Sequence, residues 1–130
     1  MRALKALREV FESCGYPFEL EERLRFRAGR ALVEVGEGEG VLVVETSVPL
    51  PSTSSTEEEY LGASEVFRDA MTFLSRLRGR VSYEVDLSLP DYPTLRIVKA
   101  VEGVGELVEG IRSYLKYSSS CVEGVGPEEP

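Results

Sequence analysis

Apolar residues first recur at helical spacing. Leu4, Leu7, Val10, Phe11 and Cys14 lie three and four residues apart, so residues 3–14 read as an amphipathic helix. Gly15 is placed to close it in a left-handed cap, and Pro17 prevents continuation. The period then changes to two. Phe18, Leu20, Leu24 and Phe26 alternate with Glu19, Glu21, Arg23, Arg25 and Arg27, which predicts a half-buried strand over 18–27. Glu22 breaks the alternation, because it falls on the apolar side. Gly29 opens a tight turn into a second strand, 31–35. Gly36–Gly40 turns again into a third, 41–48, whose early residues are apolar on both faces, as a central strand requires.

The segment 49–55 is a loop by its Pro, Ser and Thr content. Thr56 with Glu59 forms a capping-box pattern, opening a helix expected to run to about Arg78. Gly62 disfavours that helix locally and argues for a later start. Val81, Tyr83, Val85, Leu87 and Leu89 alternate with polar residues in the cleanest strand pattern of the chain. Pro90–Pro93 turns it, 95–101 is a fifth strand, and 103–117 a last helix with Val104, Leu107, Val108, Ile111 and Leu115 inward. Residues 118–130, rich in Ser, Gly, Pro and Glu, read as a flexible tail behind one domain over 1–117.

The expected architecture is an α+β two-layer sandwich of order α-β-β-β-α-β-β-α. It has a five-stranded antiparallel sheet, helices packed on one face, and the other face open. At 130 residues the chain holds one core without needing a metal or disulfide staple.

Composition changes the picture in two ways. The net charge of -8 argues against nucleic acid or an anionic membrane as partner, and no apolar run reaches the ~20 residues of a membrane span. Without a signal-peptide pattern after Met1, a cytoplasmic location is expected. The chain also has no His, Trp, Asn or Gln, and it carries 20 Glu against 3 Asp and 12 Arg against 3 Lys. Few amides and many charges point to a hyperthermophile, with an archaeal source expected. Lacking His, the chain has no Ser-His or Cys-His nucleophile pair and no His-ligated metal. No cofactor is expected. Cys14 and Cys121 fit neither a CxxC pair nor a disulfide scaffold. Cys14 falls on the helical stripe, and whether the two are free or cross-linked stays open.

The element order, small size and acidic pI over residues 3–117 resemble the secretion-chaperone-like fold, which includes type III secretion chaperones and YbjN-type proteins. The resemblance implies a homodimer that holds another polypeptide on its surface and performs no chemistry. It transfers no site residue. An archaeal source departs from an actual type III secretion role.

Two groups of residues stand out chemically. Arg23, Arg25 and Arg27 share one strand face, and such a guanidinium row can bind phosphate or carboxylate. The same row can equally be laced into ion pairs with Glu34 or Glu84 on neighbouring strands. Glu22, Glu45 and Lys99 stand among apolar residues as candidate buried charges, either a perturbed acid–base group or an ion pair such as Glu22 with Lys99; a reversal of the strand face at a bulge is the other reading of Glu22. A second cluster, Arg76, Arg78 and Arg80, follows the second helix. The Gly36–Gly40 loop lacks the Lys and helix of a phosphate cradle, and Glu57–Glu59 lacks calcium-loop spacing. The expected function is a non-enzymatic, homodimeric, chaperone-like interaction module with a protein partner. The alternative is an anion- or nucleotide-binding regulatory domain on the Arg row.

Overall fold

The computed structural model describes residues 2–38 and 40–117. Their order is α1 (Arg2–Cys14), β1 (Glu19–Leu20), β2 (Leu24–Ala28), β3 (Ala31–Glu37), β4 (Leu42–Pro49), α2 (Glu57–Leu74), β5 (Arg80–Asp86), β6 (Thr94–Val101) and α3 (Val104–Tyr117). The sheet is antiparallel throughout, with strand order β1-β2-β3-β4-β6-β5.

It has six strands rather than the expected five, and the element order changes accordingly. The first strand is cut in two by a bend at Glu21–Arg23, where Glu21 N–H donates to the Arg23 carbonyl at 3.1 Å. The bend absorbs the residue that broke the alternation. Glu22 is exposed in it and is not a buried charge.

Local chemistry explains most boundaries. Gly15 adopts φ +66°, so Gly15 N–H reaches the Glu12 carbonyl and Tyr16 N–H the Phe11 carbonyl at 3.0 Å, a Schellman stop for α1. Gly29, at φ +64°, makes the two-residue turn between the paired residues Ala28 and Ala31. That hairpin is held to α2, because Arg30 N–H donates to Asp69 Oδ2 at 2.8 Å and Arg30 pairs with Glu65 at 3.0 Å. Thr56 Oγ1 accepts from Glu59 N–H and Glu59 Oε1 from Thr56 N–H, closing the capping box. α2 therefore starts at Glu57 and carries Gly62 inside it. It ends at Leu74, earlier than the expected Arg78, where Lys99 Nζ from β6 takes the Leu74 carbonyl at 2.8 Å.

One face of the sheet is covered. Leu24, Phe26, Val33, Val35, Val44 and Val48 point to the helices and are buried, with Leu4, Leu7, Phe11, Phe73, Leu107 and Ile111 opposite them. A line of rings crosses this core. Phe11 meets Phe26 at 4.7 Å, Phe26 meets Phe73 at 5.3 Å, and Phe73 meets Tyr114 at 5.3 Å, the last two edge-on. Thr46 is the buried polar residue among them, and its hydroxyl donates to the Leu32 carbonyl at 2.9 Å. Cys14 is half-buried against the core and is not a free thiol, whereas Cys121 and the rest of 118–130 lie outside the described residues.

Candidate interaction surface

The face away from the helices carries a ladder of charges. Arg25 Nε meets Glu34 Oε2 at 2.8 Å across β2 and β3. Arg23, from the bend, reaches Glu34 at 2.9 Å and Glu45 on β4 at 3.2 Å. Arg96 on β6 joins Glu45 at 3.4 Å to Glu84 on β5 at 2.7 Å. The run Arg25–Glu34–Arg23–Glu45–Arg96–Glu84 thus spans the sheet. Most of its members are partly buried, and Glu84 and Glu45 together hold the Arg96 guanidinium above its ordinary pKa.

Arg23 and Arg25 are engaged by carboxylates rather than presented as a row for an outside anion. Arg27 stands apart: it is exposed, and its Nη1 donates to the Arg30 carbonyl at 3.3 Å. Glu45 belongs to the ladder. Lys99 points to the opposite, helix-bearing face, where its pKa is lowered by burial. Glu22, Glu45 and Lys99 are therefore not brought together, and Glu22 does not pair with Lys99.

A cleft of about 850 Å³ opens where Tyr16, Pro17 and Phe18 pass the charged face, lined also by Arg25, Arg27 and Leu32. Tyr16 donates its hydroxyl to the Arg27 carbonyl, and burial raises its pKa, so it stays protonated. Among the described residues no group of three or more His, Cys, Asp or Glu is placed to hold a metal ion. No helix among them is long and apolar enough to cross a membrane.

The least expected surface lies on the helix side of the sheet's far edge. Register aligns three rows across β4, β6 and β5: Val44–Lys99–Val81, Thr46–Ile97–Tyr83 and Val48–Leu95–Val85. All nine side chains share one face, but cover runs out along each row. Thr46 is 2% exposed and Ile97 0%, whereas Tyr83 is 55% exposed. Val85 is also 55% exposed, against 3% for Val48. The helices pack over β2, β3, β4 and β6, and β5 protrudes past them. Leu87, Leu89 and Tyr92 extend the same exposure into the turn, so six of the twelve exposed large apolar residues among the described residues belong to this one hairpin. Single exposed apolar side chains are ordinary, whereas a contiguous group marks an interaction site.

The strand read over 81–89 is present but ends at Asp86, with Leu87 and Leu89 already in the turn, and its inward-facing row is uncovered. No sequence signal marks that, since alternation shows only that a strand has an apolar face.

No family model matches the chain, and no curated protein matches it. Among solved structures it is similar to the crystal structure of YbjN from E. coli, with a TM-score of 0.50 and 13% identity, over 93% of this chain and 90% of that chain. The chain therefore has a YbjN-like α+β fold over nearly its whole described length, which agrees with the YbjN side of the resemblance and leaves the secretion-chaperone side without support.

Proposed function

We propose that this chain is a non-enzymatic, chaperone-like protein-interaction module that works as a homodimer in the cytoplasm of a hyperthermophile. One observation supports the reading above others: the apolar row Val81, Tyr83 and Val85 lies in register with core residues yet stands open. Leaving such a row in water forgoes burial worth ~1.5–3 kcal/mol per large side chain, which a protein partner would recover. β5 is also an edge strand, with one hydrogen-bonded neighbour and unpaired backbone groups along its other side. Sedimentation velocity of the wild type against Tyr83→Lys tests the reading. Association in the wild type, lost in a variant with unchanged circular dichroism, is the expected result. A wild type that never associates, or a variant that associates equally well, contradicts it.

A second reading rests on Arg27. It is an exposed cation outside the ion-pair ladder, in a cleft lined by Tyr16, Phe18 and Leu32 and also by Glu19 and by Glu34, whose charge Arg23 and Arg25 take up. An anion-binding regulatory role would centre there rather than on Arg23 and Arg25. Calorimetry against nucleotides at low and moderate salt tests it, since phosphate binding weakens steeply with salt.

A further inference from the structure

We propose that the partner of β5 is β5 of a second copy, paired antiparallel about a two-fold axis through Tyr83, so that two six-stranded sheets join into one continuous sheet. The inference rests on the interaction-module reading and names how the copies meet.

Backbone geometry narrows the choice. Directly opposed residues in a sheet point to the same face, so a register slipped by one residue would set the apolar row against the polar one. Only pairings that match odd with odd positions keep Val81, Tyr83 and Val85 together. Three such registers overlap appreciably, centred on Ser82, Tyr83 or Glu84. The Tyr83 register is the one that pairs the whole of Arg80–Asp86, seven residues, with its copy. It sets Tyr83 beside Tyr83 and Val81 beside Val85, cross-strand pairs of the aromatic and β-branched kind that stabilise sheets.

Charge points the same way. In this register Arg80 faces Asp86 of the second copy, and by symmetry the contact occurs twice. Among the described residues neither charge closes an ion pair: Arg80 joins none, and Asp86 accepts from Ser88, N–H at 2.9 Å and Oγ at 2.6 Å, and feels Arg96 only at longer range. Glu84, already held by Arg96, faces the neutral Ser82. Centring on Glu84 sets two glutamates against each other. Centring on Ser82 sets Arg80 against a Glu84 that Arg96 already engages, and shortens the overlap. The strand contains no Pro and no Lys, and of its three charges Arg80 and Asp86 face each other in this register rather than repel.

The test is a charge-reversal cycle read by sedimentation equilibrium at low salt. Arg80→Asp and Asp86→Arg should each weaken the dimer roughly tenfold, since each places like charges opposite one another at two symmetric positions. The double variant should restore wild-type association, and this rescue separates pairing from any disturbance of the Ser88 turn. A dimer that ignores both reversals, or a double variant worse than either single one, overturns the register while leaving the docking face standing. Rescue of Arg80→Asp by Glu84→Arg instead of Asp86→Arg overturns it in favour of the Ser82 register. A wild type that stays monomeric overturns both this inference and the reading it rests on.

Discussion

Two glycines in helix interiors offer a matched pair. Gly62→Ala in α2 and Gly110→Ala in α3 are the same chemical change, and neither glycine has positive φ. Replacing Gly by Ala inside a helix favours folding by ~1 kcal/mol through backbone entropy and propensity. At Gly62 a β-carbon would meet nothing within 4 Å, so the full gain should appear. At Gly110 it would lie 2.3 Å from Leu77 Cδ2 and 2.8 Å from the Arg76 carbonyl oxygen. Leu77 is buried, and the carbonyl is backbone, so the end of α2 and α3 must move apart. Overpacking of this kind costs ~1–3 kcal/mol, which exceeds the propensity gain. Gly62→Ala should therefore raise stability by ~1 kcal/mol and Gly110→Ala lower it by ~1–2 kcal/mol. Denaturant unfolding with a common m-value reads both. Equal stabilisation by the two variants would refute the close approach of α3 to the segment after α2.

Two further results are expected. Tyr114 ends the aromatic line, and burial pushes its hydroxyl up to about 12. Its folded pKa lies above the unfolded 10.0, so the unfolded chain loses its proton first and stability falls as pH rises from 10 to 12. Tyr114→Phe should flatten that fall in a pH series of urea titrations; an unchanged slope would show that Tyr114 is not its source. Arg23 links Glu34 to Glu45 in the half-buried ladder, so Arg23→Ala should cost ~1 kcal/mol at low salt and clearly less in 1 M NaCl, measured by the same titrations. A loss that salt leaves untouched would mean the arginine acts through packing.

How far the chain could be read from its residues varied with the range of the interaction. Local chemistry carried well: Gly15 with Pro17 marked the end of α1, and Thr56 with Glu59 marked the start of α2 despite Gly62. Glu22 was visible as an anomaly with a face reversal among its readings, but a break in period two is compatible with both a buried carboxylate and a change of direction, so the residues alone did not choose the bend. α2 gives way after Leu74 to tight turns, Arg76 N–H to the Phe73 carbonyl and Leu77 N–H to the Leu74 carbonyl, and Lys99, 25 residues on, also donates to that Leu74 carbonyl, a contact no local pattern shows. The ion-pair ladder was one of two readings of the arginine strand; the pairs themselves depend on cross-strand register and on the bend that carries Arg23, neither of which the sequence displays. β5 was the clearest strand by pattern, yet its position at the edge and the extent of the helical cover follow from the whole fold.

Hydrogen exchange along Arg80–Asp86 tests the central claim most directly. In an isolated edge strand every second amide points away from β6 and exchanges freely. The account predicts that β5 amides facing both sides are protected at high protein concentration and that the outward set loses protection on dilution. Outward amides that exchange rapidly at every concentration would contradict it.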